Sequence, residues 1–239
     1  MPPDMTADQG LFSASRQARL NQACEVLGLN LLPAQQQRLM DFLALLQRWN
    51  RVYNLTALRD PDEMLSHHLI DCLAVLPALR RHAAAAHPAA GDKLCILDVG
   101  SGGGLPGVVL AVLHPEWVVS CVDTVSKKAS FIRQVAAELR LPNLLGLHAR
   151  VESLGAAQAR FDVITSRAFA SLADFTRLSG DVLAEQGVWM AMKGKLPGDE
   201  QADLPASVAV FHVEQLTVPG LDAQRCLVWM RRRAPAGSP

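Results

Sequence analysis

Residues 94–111 read LCILDVGSGGGLPGVVLA: an apolar run meets an aspartate, a cluster of glycines and a proline, and apolar residues then resume. A buried strand, a tight turn and a helix are expected from this order. Two motifs overlap in the turn. Gly102–Gly107 satisfies the G-x-G-x-x-G pattern of dinucleotide-binding folds, whereas Asp98–Gly104 places a carboxylate just before the glycines. The two motifs predict different cofactors.

The rest of the chain after residue 94 alternates apolar strand patterns with helical ones. This alternation predicts an α/β fold with an open, mainly parallel sheet covered on both faces. The expected helices start at Pro106, run from Ser126 to about Leu141, and run from Ser171 to Leu183. The last two strands, SVAVFHVEQL and CLVWMRR, have no helix between them, so we expect an antiparallel hairpin at one edge of the sheet.

The first third of the chain has helical periodicity. Apolar residues recur at spacings of three and four after Pro33, and a further helix is expected from about Asp60 with a break at Pro77. We therefore divide the chain into a helical N-terminal unit, a connection, a sheet domain and two tails. Their predicted ranges are 15–82 for the unit, 83–93 for the connection, 94–233 for the sheet domain, and 1–14 and 234–239 for disordered tails.

The composition excludes several classes of protein. Half of the 239 residues are hydrophobic, and 23 basic residues balance 23 acidic ones, so a nucleic acid would have to bind to a local basic patch. Five scattered cysteines favour a reducing cytoplasm, and no segment has the pattern of a signal peptide or a membrane span. No spacing of His, Cys and Asp suits a metal site.

The acidic residues at the ends of the first two strands distinguish between the cofactors. Asp98 would repel a pyrophosphate but would favour an ammonium group, and Asp123 lies where a carboxylate accepts ribose hydroxyls. A cofactor with a ribose, no phosphate and a cationic amino group is S-adenosylmethionine. The alternatives are a nicotinamide-dependent oxidoreductase, a module that binds S-adenosylmethionine without catalysis, and a glycine turn without a ligand.

Several separate motifs resemble one family, in that family's order. They are WNRVYNLTALRDPDEMLSHHLIDCL, DVGSGGGLPGVVLA, VDTVSKKASFIRQV, RVESL, FDVITSRAFASL and MKGK, within about residues 35–195. On these the chain is identified as a member of the ribosomal RNA small subunit methyltransferase G family. The resemblance implies a Rossmann-like sheet and methyl transfer from S-adenosylmethionine to nitrogen 7 of one guanine, in a 16S ribosomal RNA hairpin loop near the decoding region. The expected partner is that RNA, either free or in a small-subunit particle, and we expect the protein to be a monomer, although the sequence leaves the oligomeric state open.

The resemblance and the strand positions also assign site residues. Asp98, Gly100, Ser101, Gly102 and Leu105 are expected beside the methionine part of the cofactor. Asp123 is the expected ribose contact, Thr124 is a further cofactor residue, and Val151 and Glu152 lie on the adenine side. Arg167 is expected both to bind the cofactor and to be the catalytic residue that faces the methyl group and the base. Because nitrogen 7 already carries a lone pair, we expect no general base.

Docking of the RNA is assigned to residues around the NLT stretch, namely Arg48, Arg51, Asn54 and Arg59. Asn50 and Thr56 either turn the chain after a helix or line the RNA-facing rim. His67 has Asp71 as its i+4 partner beside His68, which indicates either a site or a satisfied pair at an interface. Arg231–Arg233 reads as a solvated strand end, with phosphate contact as the alternative.

Overall fold

The computed structural model describes residues 14–86, 93–155, 160–167, 169, 171–194, 198 and 200–233. Most of the predicted tails and connection, namely residues 1–13, 87–92 and 234–239, lies outside these described ranges.

Helices form the first third of the fold, and strands alternate with helices after it. The helices before the sheet are α1 Ala14–Val26, α2 Pro33–Tyr53, α3 and α4 Leu76–Ala86. Helix α3 has three consecutive parts, which are α-helical Pro61–Met64, π-helical Leu65–Ile70 and α-helical Asp71–Leu73. The elements that follow are β1 Cys95–Val99, α5 Gly107–Leu113, β2 Val118–Asp123, α6 Ser126–Glu138, β3 Leu144–His148, a 3-10 turn Val151–Leu154, β4 Phe161–Ser166, α7 Leu172–Ser179, a 3-10 turn Gly180–Val182, β5 Leu183–Lys193, β6 Val208–Leu216 and β7 Arg225–Arg232.

The seven strands form one sheet in the order β3-β2-β1-β4-β5-β7-β6. Strands β1 to β5 pair in parallel, and β7 is antiparallel to both of its neighbours, β5 and β6. The α/β class, the mainly parallel sheet and the antiparallel edge hairpin are confirmed. The strand order reverses direction between β1 and β4, and ligands of such sheets bind beyond the carboxyl ends of the strands at that point.

Helix α2 packs on the sheet domain through the apolar stripe that its sequence predicts. Leu39, Phe42, Leu43 and Leu46 are fully buried, and each such side chain contributes about 1.5–3 kcal/mol of hydrophobic stabilisation. They belong to one continuous core with residues of α1, α3, α5, α6 and one face of the sheet. The N-terminal helices therefore form a layer over the same core as the sheet.

Some helix boundaries differ from the sequence prediction. Helix α6 ends at Glu138, and α7 ends at Ser179 before a short 3-10 turn. The break expected at Pro77 lies earlier, between α3 and α4, and Pro77 is the second residue of α4, where its missing N–H costs no helical hydrogen bond. Helix α4 continues to Ala86, past the start of the predicted connection.

Candidate active site

The glycine turn between β1 and α5 is tied back to the protein by its own backbone. Gly100, Gly102 and Gly104 have φ angles of +66°, +56° and +83°, which side-chain-bearing residues rarely adopt. The N–H groups of Gly100 and Ser101 both donate to the carbonyl of Val122, at 2.9 and 3.2 Å. The turn is thus closed against the end of β2.

Asp98 lies beneath this turn and is fully buried. Its Oδ2 accepts a 2.9 Å hydrogen bond from the N–H of Gly107, whereas its Oδ1 is buried without a partner among the described residues. Burial raises the pKa of the Asp98 carboxyl to about 7, an effect that the Gly107 hydrogen bond and the charge of Arg167 partly oppose. One carboxylate oxygen thus remains available to a donor.

The approach of helix α5 to the sheet requires glycine at position 107. A Cβ there would lie 2.3 Å from Cys121 Sγ and 3.0 Å from Asp98 Oδ2. Glycine lets the helix start against β2, so that its first N–H reaches the buried carboxylate. Asp98 therefore occupies the place at the helix N-terminus where a dinucleotide fold holds its pyrophosphate.

A cleft of about 480 Å³ opens beside the turn. It is lined by residues from the ends of β1 and β2, from the segments after β3 and β4, and from helices α6 and α7, namely Val99, Gly100, Val122, Asp123, Thr124, Val125, Lys128, Ala149, Arg150, Val151, Glu152, Phe169 and Leu178. Of the predicted cofactor residues, the cleft brings together Gly100, Asp123, Thr124, Val151 and Glu152. Asp98, Ser101, Gly102, Leu105 and Arg167 are not among its lining residues.

The carboxylate of Asp123 lines the cleft and also forms a hydrogen bond with the glycine turn. Its Oδ2 accepts from the N–H of Gly102 at 3.0 Å, and its Oδ1 accepts from the N–H of Val125 at 2.9 Å. Lys128 Nζ lies 3.6 Å from Oδ2. Each carboxylate oxygen has a second lone pair for a ligand hydroxyl.

Sequence reasoning missed eight residues of the cleft, which are Val99, Val122, Val125, Lys128, Ala149, Arg150, Phe169 and Leu178. Lys128 and Phe169 fall within motifs that mark the family resemblance, but their spacing alone does not indicate a ligand. The rings of Phe169 and Phe175 pack together with their centroids 5.7 Å apart. Phe169 also lies 4.0 Å from the position that a Cβ on Gly100 would occupy.

Arg167 follows β4 and points towards helix α3 of the N-terminal layer. Its Nη1 donates to the carbonyl of His67 at 3.0 Å, lies 3.2 Å from His68 Nδ1 and is 3.7 Å from Asp71 Oδ2. His68 Nδ1 also lies 3.2 Å from the carbonyl of His67, so it accepts from Arg167 in one tautomer and donates to that carbonyl in the other; Nε2 pairs with Thr56 Oγ1 at 2.7 Å. Burial and the charge of Arg167 lower the pKa of His68 to about 4, which keeps the ring neutral.

Asp71 differs from its predicted role as the partner of His67. It is buried, and its Oδ1 accepts a 2.7 Å hydrogen bond from Arg225 Nε while Oδ2 faces Arg167. The i+4 pairing with His67 is therefore replaced by contacts to two arginines of the sheet domain. His68 and Asp71 lie at the interface of α3 and the sheet, where Asp71 pairs with the two arginines in place of the satisfied pair with His67 that the sequence suggested.

The segment after α2 is stabilised by Asn50. Its buried amide donates to the carbonyl of Leu58 at 2.8 Å and its Oδ1 accepts from the N–H of Thr56 at 2.8 Å. Asn54 caps α2 in the left-handed region at φ +50° and accepts from Arg59 Nη2 at 2.9 Å. Asn50 and Thr56 thus turn the chain after the helix.

The chain can be placed among known proteins on this geometry and its sequence. A profile of the family described as rRNA small subunit methyltransferase G matches residues 35–228. The chain belongs to this family. It is 62% identical over 218 residues to the "Ribosomal RNA small subunit methyltransferase G" of Acidovorax sp. (strain JS42), which covers 89% of this chain and 93% of the relative. The protein of that name from Polaromonas sp. (strain JS666 / ATCC BAA-500) is 59% identical over 217 residues, 91% of this chain and 94% of the relative.

Membership of the methyltransferase G family confirms the resemblance drawn from the motifs. The matched range extends beyond residue 195, where the quoted motifs end, and includes the start of β7. A solved structure of a mutant MtNAS has a TM-score of 0.54 at 14% identity, with 97% of this chain and 82% of that chain covered, and shows a similar fold.

The other predicted arginines have varied surroundings. Arg48, Arg51 and Arg59 are all exposed, and Arg48 also forms a 3.3 Å ion pair with Glu138. The sequence predicts that Arg232 is a solvated residue at the end of a strand. Its guanidinium instead donates hydrogen bonds to the carbonyls of Gly180, Leu183 and Ala184.

Three further observations concern the described part of the methyltransferase G chain. Within it, no three His, Cys, Asp or Glu side chains gather as metal ligands, and no helix has both the length and the apolarity needed to cross a membrane. All five cysteines lie in this part, and none forms a disulfide.

Proposed function

We propose that this chain transfers a methyl group from S-adenosylmethionine to nitrogen 7 of a guanine in 16S ribosomal RNA, in a hairpin loop near the decoding region. The choice of S-adenosylmethionine over a dinucleotide rests on the N-terminus of α5, where the N–H group already has a partner within the protein. Gly107 donates to Asp98, and the N–H groups of Gly100, Ser101 and Gly102 also have partners within the protein. The turn therefore offers a carboxylate where a nicotinamide dinucleotide needs donors for its pyrophosphate.

The residues around the turn fit S-adenosylmethionine. The unpaired Oδ1 of Asp98 favours a cationic amino group nearby, and Asp123 lines a cleft large enough for an adenosine. In this proposal Asp98, Gly100, Ser101, Gly102 and Leu105 flank the methionine part. Asp123 and Thr124 contact the ribose, and Val151 and Glu152 contact the adenine. When bound, the cofactor supplies an electrophilic methyl group on its sulfonium.

The protein's own contribution to such a transfer is positioning. Nitrogen 7 of guanine has a lone pair in the plane of the ring, so the residues need only align it with the methyl group and exclude water. Arg167 is proposed to position the base, because it follows β4 at the reversal of strand order. Its contacts to α3 hold the guanidinium in place.

Arg48, Arg51, Asn54 and Arg59 are proposed to bind the RNA backbone. They lie on the second half of α2 or in the segment after it. The ion pair with Glu138 offsets the charge of Arg48, so we expect Arg51 and Arg59 to contribute more to RNA affinity. Whether the RNA is bound free or within a small-subunit particle, alanine at these two positions should flatten the salt dependence of binding.

Two measurements test this proposed function. Titration calorimetry should detect binding of S-adenosylmethionine and none of NAD. Mass mapping of 16S RNA incubated with the protein and cofactor should then show one additional methylated guanine. An unchanged RNA would refute the substrate assignment, and NAD binding without S-adenosylmethionine binding would refute the cofactor.

A variant of Arg167 tests its role in positioning. At saturating RNA, Arg167→Ala should slow single-turnover methyl transfer about 100-fold, since misplacement of the base by about 1 Å has an effect of that order. Arg177→Ala is the matched control, because it removes an exposed arginine whose described ion pair is with Asp174. If Arg167→Ala transferred the methyl group at the wild-type rate, the proposed positioning role of Arg167 would be refuted.

A further inference from the structure

Asp71 brings together Arg167, which follows β4, and Arg225, the first residue of β7. Arg225 Nε donates to Asp71 Oδ1 at 2.7 Å, and Arg167 Nη1 lies 3.7 Å from Oδ2. The side chain of Asp71 is 3% exposed, and those of Arg167 and Arg225 are 25% and 23% exposed. One buried carboxylate thus holds two partly buried guanidiniums.

The charges of this cluster do not balance. Two guanidiniums face one carboxylate, and the adjoining His68 is neutral. Asp98, the other acid whose charge acts on Arg167, is fully buried, and this burial raises its pKa to about 7. Lys193, at the end of the neighbouring strand, is balanced by Glu200 at 2.8 Å. A partly buried excess of positive charge favours an anion as its ligand.

The position of Arg225 separates it from the cofactor cleft. Arg225 is the first residue of β7, which runs antiparallel and therefore starts at the edge where β4 and β5 end. Strand β7 is three strands from β1, which is about 14 Å at the usual strand spacing. Arg225 borders a different cavity, of about 250 Å³, together with Gly194, Gln215 and Thr217.

The guanidinium of Arg225 is held in a fixed plane. Its Nε donates to Asp71, and its Nη1 donates to the carbonyl of Gln224 at 2.9 Å. These two hydrogen bonds use two of its five N–H donors, which leaves donors for a bidentate contact with a phosphate. A fixed guanidinium loses little entropy on binding.

We propose that Arg225, held beside Arg167 by Asp71, binds a backbone phosphate of the substrate RNA next to the target nucleotide. This inference rests on the proposed function, because it takes RNA as the substrate. The strand separation favours an RNA phosphate over the carboxylate of the cofactor, since the cleft lies at the ends of β1 and β2.

Arg225→Gln tests the proposal, since glutamine can still donate to Asp71 while the charge is removed. Filter binding of 16S RNA over a range of salt concentrations should show a slope smaller by about 0.7–0.9 and an affinity about tenfold weaker at low salt. The affinity for S-adenosylmethionine should be unchanged. Arg177→Gln is the matched control, because Arg177 is an exposed arginine of α7 that pairs with Asp174, and its loss should leave RNA binding unchanged.

Wild-type RNA affinity and slope in Arg225→Gln would overturn the proposal. A loss of S-adenosylmethionine affinity with unchanged RNA binding would overturn it too, and would assign the anion to the cofactor's carboxylate. Arg225→Gln could melt far below the wild type because it leaves the buried Asp71 carboxylate without its charged partner. In that case the double variant Arg225→Gln with Asp71→Asn replaces the ion pair by two amides, and the same decrease in the salt slope of RNA binding is expected. Failure of the wild-type protein to bind or methylate 16S RNA would instead refute the proposed function.

Discussion

Asp98 and His68 should make the stability of this protein depend on pH in opposite directions. The pKa of Asp98 is about 7 in the fold against an ordinary 3.8, so the folded state binds a proton that the unfolded state releases. Stability from this proton is present below pH 3.8 and is lost as the pH rises through 7. At 1.36 kcal/mol per pH unit, this is about 4 kcal/mol.

His68 has the opposite sign. Its pKa is about 4 in the fold against an ordinary 6.5, so the unfolded state binds the additional proton between these values. The stability contributed by the neutral His68 ring is fully present above pH 6.5. It falls by about 3 kcal/mol as the pH drops through 4. Between pH 4 and 6.5 the two residues nearly cancel in the wild-type protein.

Single substitutions should separate the two effects. Relative to wild type, the free energy of unfolding of Asp98→Asn should increase by about 3 kcal/mol from pH 4.5 to 6.5, and that of His68→Gln should decrease by a similar amount. Urea denaturation at several pH values measures both, and subtracting the wild-type curve removes the titration of all other groups. Asp222→Asn, which removes an exposed carboxyl, is the control. Difference curves that stay flat with pH for both variants would refute the reasoning.

Three further predictions concern the glycine turn and its surroundings. Gly102→Ala and Gly28→Ala both place a side chain at positive φ in open space, so each should cost about 1–2 kcal/mol of stability, but calorimetry should show weaker S-adenosylmethionine binding only for Gly102→Ala. Gly107→Ala should destabilise the fold by about 1–3 kcal/mol or more through its clash with the Cys121 sulfur, and Cys121→Ala in the same chain should restore part of the melting temperature. Tyr53, which is 40% exposed beneath a lysine ammonium, offers a ring for stacking, so Tyr53→Ala should weaken RNA binding about fivefold or more in filter assays while Tyr53→Phe should not.

The parts of the fold that could be predicted from the sequence depend on local patterns. The stripe of α2, the start of α5 after Pro106 and the edge hairpin follow from residue spacing and from the lack of a helix between two strands. The predicted cofactor residues that share the cleft lie at strand ends, and parallel strands bring their carboxyl ends to one edge.

The remaining features arise from contacts that are remote in sequence. Asp71 and Arg225 are 154 positions apart, so helical spacing suggested the nearby His67 instead. Lys128 became a candidate only when the fold placed its ammonium beside Asp123. The π-helical part of α3 has no recognisable sequence signal, since LSHHLI has no glycine or proline to mark a change of helix type.

That π-helical part controls which way the end of α3 faces. The stretch Leu65–Ile70 places the carbonyl of His67 at Arg167 and directs Asp71 to Arg225. Deleting one residue from the α-helical part Pro61–Met64 would rotate every following side chain by about 100° around the helix axis, since each α-helical residue turns the chain by that angle. Asp71 would then face away from the sheet, and both arginines would lose their shared carboxylate. The number of residues in α3 therefore determines how the side chains at its end are oriented around the helix axis relative to the sheet.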